Sequence, residues 1–299
     1  MCGIAALQLK DPSLRPQLGS LMHGMLCEIV ERGPDSAGIA VYDSSRFVSD
    51  GSSTVTLLDS PFDDAALAEA LEGLIGGSVG QVVTMGDTTL VSAAVDTETL
   101  TDALRIAAPG ARQIGRGHHV ANLKGVGDPV ALADTFGLMA LEGTQGVSHT
   151  RMATESAVTA SGSHPFTVDD DLCLVHNGSF SNHATIRRGL RAQGVVFDSD
   201  NDSEVAARFL AMRIRAGDDL PGALEELKKT FDGFYTLVVT TADGLAVLRD
   251  PIACKPAIIA ETDRWVAVAS EYRALVGLPG IDDAKVWEPQ PGEVYTWKF

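Results

Sequence analysis

Apolar and polar positions fall into two rhythms along the chain. Short runs rich in strand formers come at "GIAALQL" (3–9), "SAGIAVYD" (36–43), "GVSHTRMAT" (146–154) and "DLCLVHNGSF" (171–180). More follow at "GFYTLVVTTADGLAVLRDPI" (233–252), "AIIAET" (257–262), "RWVAVASE" (264–271) and "GEVYTWKF" (292–299). These predict strands. Helical spacing appears at 14–34, where Leu18, Leu21, Met22, Met25 and Ile29 share one face and Gly33-Pro34 ends the run. It returns at 182–194, 203–217 and 220–230.

From about 60 to 145 the texture changes. Two helices (63–77 and 97–110) flank a hairpin at 81–96, and a strand at 117–124 follows. A helix at 128–143 has Asp128 as N-cap and Pro129 at its first position. Strands in runs with helices in groups predict α+β layering, not a βαβ alternation. No linker marks a boundary, so one domain over 2–299 with an insertion at about 60–145 is expected.

Hydrophobic residues make up 45% and charged residues 21%, the balance of a globular chain. A formal charge of −17 disfavours nucleic-acid binding and fits small-molecule chemistry or a complementary protein surface. With no long apolar run and no basic-then-apolar leader, neither a membrane nor a secreted setting is expected, and a cytoplasmic one is. The four cysteines, Cys2, Cys27, Cys173 and Cys254, form no CxxC pair and no zinc spacing, so no metal is expected. Cys27, Cys173 and Cys254 lie among apolar neighbours and read as core residues.

Cys2 is different. Once Met1 is removed, its thiol and a free α-amine belong to one residue, and that amine can act as a base near neutral pH. Attack on an amide carbonyl creates an oxyanion, which needs fixed donors. Asn177 and Gly178 of "VHNGSF" can supply a side-chain amide and an unobstructed backbone N–H, although Asn-Gly is also a common turn. Arg151 of "SHTRMAT" offers a fork for a carboxylate. Asp198, Asp200 and Asp202 precede a helix and could hold an ammonium group. They also fit ordinary capping, with Asn201 and Glu204 spaced as a capping box.

Taken in order, "CGIAAL", "ERGPDSAG", "SHTRMAT", "GSHPF", "VHNGSF" and "SDNDSE" resemble the successive motifs of the class II glutamine amidotransferases, a family of N-terminal nucleophile hydrolases. The resemblance covers roughly 2–45 and 146–275. It implies a four-layer αββα sandwich with an inserted α/β element. It implies Cys2 as nucleophile, Asn177 and Gly178 as oxyanion hole, and Arg151 and Thr154 on the glutamine carboxylate. His164 falls in the substrate-side loop, Asp202 pairs with the glutamine ammonium, and Arg32 supports the nucleophile end. His176 then reads as packing support. Met152 departs from the family by standing where an aromatic is usual.

Residues 118–138 look like the stand-alone amidotransferase subunits of glutamate-synthase-like systems, N-methylglutamate synthase nearest among them. That implies a hetero-oligomer: a flavin-binding synthase subunit and a glutamate-synthase-like subunit as partners, and FMN on a partner, with no cofactor in this chain. A free-standing N-terminal-cysteine amidase and a non-catalytic structural subunit of the same fold remain the alternatives.

Overall fold

The computed structural model describes residues 2–152 and 158–299. In chain order the strands are β1 (Gly3–Leu9), β2 (Ser36–Tyr42), β3 (Ser53–Leu58), β4 (Val79–Met85), β5 (Thr88–Ala93), β6 (Arg112–Gly117), β7 (Val120–Val126) and β8 (Gln145–Arg151). They continue as β9 (Phe166–Asp169), β10 (Leu172–Phe180), β11 (Gly233–Thr241), β12 (Gly244–Arg249), β13 (Ile258–Glu261), β14 (Trp265–Ala269), β15 (Lys285–Trp287) and β16 (Val294–Lys298). The α-helices are α1 (Leu18–Cys27), α2 (Asp64–Ile75), α3 (Thr97–Ala107), α4 (Pro129–Thr135), α5 (His183–Ala192), α6 (Asp202–Arg215) and α7 (Leu220–Thr230).

Two antiparallel sheets face one another. One has seven strands in the order β15-β13-β14-β1-β8-β2-β7, the other five in the order β16-β12-β11-β10-β9. Ile4, Val147, Cys173, Val175, Val238 and Val266 fill the space between them. On the far side of the larger sheet, Leu7 and Leu9 pack with Leu18, Met22 and Met25 of α1. On the far side of the smaller sheet, Leu174 and Leu237 pack with Val205 and Leu210 of α6 and Leu224 of α7. The result is the expected αββα sandwich.

A third sheet, β4-β5-β3-β6, carries α2 and α3 over its own apolar cluster. This extra unit lies within Ser53–Gly117. The rest of the 60–145 stretch belongs to the sandwich, because β7 pairs with β2 in the large sheet and α4 packs beside α1. Strands β3 and β6 had no counterpart in the sequence pattern. The helix expected at 14–34 is broken into α1 with a 3-10 turn on each side; Pro16 sits inside the first turn and has no N–H to extend an α-helix.

Helix starts follow local chemistry. Asp63, Asp96, Asp128 and Asp219 each accept backbone N–H groups as N-caps of α2, α3, α4 and α7. Part of the negative charge is therefore capping chemistry. The expected capping box at α6 forms only in half. Asn201 accepts from Ser203 N, but the Glu204 carboxylate turns to Asp198 N and Ser199 N instead of closing on Asn201. Cys173 is buried as expected, whereas Cys27 is half-buried and Cys254 is exposed. Cys254 lies outside the regular strands, in the connection between β12 and β13, so its apolar neighbours in sequence do not carry it into a core.

At Gly38 of β2 a Cβ would lie 2.0 Å from the His164 carbonyl oxygen. The segment before β9 rests directly on the sheet there. Gly38→Ala is expected to destabilise the protein by about 3 kcal/mol, since backbone cannot yield as a flexible side chain can. Denaturant unfolding measures it.

Candidate active site

The N-terminal strand is central, not an edge. β1 pairs with β14 on one side and β8 on the other, with Gly3 opposite Thr150. One residue beyond that pair lie Cys2 and Arg151. A chain terminus normally frays, yet here the Cys2 carbonyl accepts two hydrogen bonds, 3.0 Å from Arg32 Nε and 3.1 Å from Asn177 Nδ2. Arg32 is itself fixed by Glu271, 2.6 Å from Nη1. The hydrogen bond from Arg32, joined by Arg273, holds the Glu271 carboxyl below its usual range. Sequence reading identified Arg32 and Asn177 but not Glu271, which lies some 240 positions from its partner.

Asn177 and Gly178 sit at the end of β10. Asn177 is buried. Gly178 is exposed, at φ +152°, and a Cβ there would meet the Phe234 carbonyl oxygen at 2.0 Å. Only glycine fits this position. Asn177 thus reaches Cys2 through its side-chain amide, and Gly178 follows it in the strand.

Arg151 ends β8 and is buried, with its backbone bound to the 34–36 segment through Asp35 N and the Ser36 pairing. Its Nη1 reaches the edge of Gly162, where an added methyl would lie 3.4 Å away. Asp202 opens α6. One of its oxygens accepts from Phe180 N at 2.9 Å, which ties the helix start to the strand carrying Asn177. Thr154 and Met1 lie outside the described residues, and Met152 is exposed.

Behind these groups is a buried imidazole cluster that the sequence reading did not assemble. His164 Nε2 and His176 Nδ1 lie 2.9 and 2.8 Å from the same Ser203 hydroxyl. His149 stacks on His164 at 4.1 Å between ring centroids, and its Nε2 donates to the His176 carbonyl at 3.0 Å. The Ser203 hydroxyl has a single proton, so at least one of the two imidazoles presents an N–H to it. His164 is therefore a wall behind the pocket, braced by Ser203, and is not open to solvent. His176 stacks on Phe180 at 4.5 Å, in keeping with packing support. Ser203 was hidden inside a motif that also reads as a helix cap; only the fold brings both histidines to it.

Burial holds all three rings neutral, with His149 pushed down to about 3 and His164 and His176 also lowered.

A central strand that starts directly behind a cysteine, inside an αββα sandwich, defines the molecule as an N-terminal nucleophile hydrolase. The glutamine amidotransferase domain model matches residues 149–277. The glutamine amidotransferase-like protein GlxB of Rhizobium meliloti is 46% identical over 99% of this chain and 98% of its own length. The glutamine–fructose-6-phosphate aminotransferase of Idiomarina loihiensis is 34% identical over 44% of this chain and 21% of that enzyme. Among solved structures, the glutamine phosphoribosylpyrophosphate amidotransferase of B. subtilis superposes with a TM-score of 0.62 at 18% identity, over 99% of this chain and 47% of that one. The chain belongs to the class II glutamine amidotransferase family.

The neutral histidines set a pH dependence. In the unfolded chain an imidazole binds a proton near pH 6.5, whereas the folded cluster resists protonation. The unfolded state therefore takes up more protons below that value, and stability should fall as pH drops from about 6.5 toward 5. Thermal unfolding across this window should show the decline, with a shallower slope in His149→Gln.

Proposed function

We propose that this chain is a glutaminase subunit that cleaves the γ-amide of glutamine, or of a close γ-glutamyl amide, through a thioester at Cys2. The observation that carries the reading is the double hold on the Cys2 carbonyl, with the Asn177 amide and Gly178 alongside. In the reaction, the α-amine of Cys2, freed by loss of Met1, takes the thiol proton as sulfur attacks the amide carbon. The oxyanion forms against Asn177 Nδ2 and the Gly178 N–H. Collapse breaks the C–N bond, and the proton returns to the leaving nitrogen, which departs as ammonia. The amine then deprotonates a water that attacks the thioester. Glutamate leaves and the thiol regains its proton.

Arg151 supplies the fork for the α-carboxylate, Asp202 the charge for the α-ammonium, and the family resemblance assigns Thr154 to the carboxylate as well. Asp202 holds Phe180 N with one oxygen and accepts from the Ser203 hydroxyl, at a longer 3.3 Å, with the other; that second contact is the one a substrate ammonium would displace. The ammonia, or methylamine if a γ-glutamylmethylamide is cleaved, passes to a synthase on another chain. In this reading that partner is a flavin-binding subunit of an N-methylglutamate-synthase-like or glutamate-synthase-like complex in the cytoplasm, and FMN belongs to it. Among the described residues no helix is long and apolar enough to cross a membrane.

Three substitutions separate the roles. Cys2→Ala should abolish glutamine hydrolysis with thermal stability retained, and intact mass of the native protein should show Met1 removed. Asn177→Ala should lower kcat by about 10²–10³-fold with a smaller effect on KM. Arg151→Lys should chiefly raise KM, because an ammonium cannot reproduce the bidentate fork. Undiminished hydrolysis in Cys2→Ala would refute the mechanism. Copurification from the native host tests the partner.

A further inference from the structure

Lys124 is a buried amine for which the amide chemistry has no use. A single row crosses the large sheet from Ile4 to His149, Gly38 and Lys124 on four neighbouring strands. His164 sits over Gly38, between His149 and Lys124. Lys124 is only 2% exposed. Its Nζ lies 4.8 Å from the centre of the Phe166 ring, and among the described residues it has no ion pair or hydrogen bond. A buried ammonium without an anion costs several kcal/mol. A methionine would fill the same space without that cost, so the amine points to something that pairs with it.

The surroundings indicate what. Lys124 lines a cavity of about 40 Å³ together with Arg112, Ser161, Glu204 and Arg208. This cavity shares Arg112, Thr167, Asp198 and Arg208 with a larger one of about 320 Å³, to which Arg105 and Arg116 add their guanidinium groups. The combined cleft lies where the extra unit meets the sandwich, between α3 and β6 on one side and α6 and β9 on the other. It gathers four arginines and a lysine against Asp198 and Glu204 in a chain of net charge −17. The two acids are already engaged with Arg208, and Arg116 with Asp169 and Asp170. Arg105 pairs with Asp102, while Arg112 donates to Ser161 Oγ at 3.2 Å and meets Asp59 only at a long 3.9 Å, its side chain 57% exposed and so able to turn to a ligand.

We propose that this cleft binds a small oxyanion, a phosphoryl or carboxylate group, between the Lys124 amine at its floor and the Arg112 guanidinium at its wall. The 40 Å³ space at Lys124 takes only the small anionic group, and the adjoining 320 Å³ cavity, which Lys124 does not line, has room for the rest of a metabolite; guanidinium and ammonium together match an anion of one or two charges. The cleft backs onto the amide site. Glu204 follows Ser203, the brace of His164 and His176, and Ser161 stands three residues before His164. A ligand here therefore lies behind the imidazole cluster without entering it.

Burial lowers the Lys124 amine to about 7. The charged and titratable groups facing it are Glu204 and Arg208 from α6, Arg112 from β6, Asp198 ahead of α6, Cys173 from β10, His164 ahead of β9 and His149 from β8, whose ring burial already holds neutral. Burial raises the Cys173 thiol and lowers the His164 ring, so both are neutral near pH 7. Lys124 is thus the group that changes charge there, and an arriving anion draws a proton onto it.

Isothermal titration of the full chain tests this with two probes, sulfate for the phosphoryl case and succinate for the carboxylate case. Sulfate keeps one charge over the range used. At least one probe should bind at about pH 6 and bind about tenfold or more weakly at about pH 8.5. Near pH 7 the binding should take up protons, read from heats in buffers of different ionisation enthalpy. Arg112→Gln should weaken binding and Lys124→Met should abolish it, with glutamine hydrolysis retained in Arg112→Gln. Absence of binding by both probes at pH 6 overturns the proposal. So does binding that is equal in wild type and Arg112→Gln and independent of pH, a pair of readings that stands even should Lys124→Met fail to fold.

Discussion

The candidate site depends on holding Cys2 still. Cys2 stands at the open end of β1, and strand ends fray unless they are tied down. The fold answers by making β1 a central strand and by placing two donors on the Cys2 carbonyl. Those donors come from opposite sides of the sandwich, Arg32 from the layer beneath the large sheet and Asn177 from the small sheet. Glu271 then restrains Arg32 from the turn after β14. The position of Cys2 is accordingly a property of the assembled sandwich, because its backbone is held by groups from both layers.

Behind this front, the site is built from neutral polar groups. Three imidazoles and a hydroxyl form a buried set whose charge state is fixed by desolvation. Neutral rings can share one hydroxyl at close range where charged ones would repel. The set links the loop carrying His164, the strand carrying Asn177 and the helix opened by Asp202, and holds these three pieces in register. Rigidity of this kind is how a polar site keeps its geometry.

The extra sheet is attached differently. It has its own apolar cluster with α2 and α3 and meets the sandwich along a polar seam. Arg116 reaches from β6 to Asp169 and Asp170, and the Asp171 carboxylate accepts three backbone N–H groups from His118, His119 and Val120, so the unit is anchored by ions and oriented amides. Seams of this type leave clefts, and the one beneath β6 gathers four arginines and a lysine in a chain of net charge −17.

Periodicity along the sequence placed most strands and helices, because it is set by burial on one face. The order of its motifs, through their resemblance to a known family, implied the class of fold and offered Cys2, Asn177, Gly178, Arg32, Arg151 and Asp202 as candidates. Only the tertiary structure decided the rest. It set the extra unit at Ser53–Gly117, because β7 earns its place in the large sheet by pairing with β2. It placed Glu271 on Arg32, made Ser203 the junction of two histidines, turned Glu204 away from its helix cap, and left Lys124 buried beside a cleft. Each of these rests on contacts between residues far apart in the chain. Strand pairing and sheet packing bring such residues together, and no local pattern of apolar and polar positions records which partner a side chain will meet.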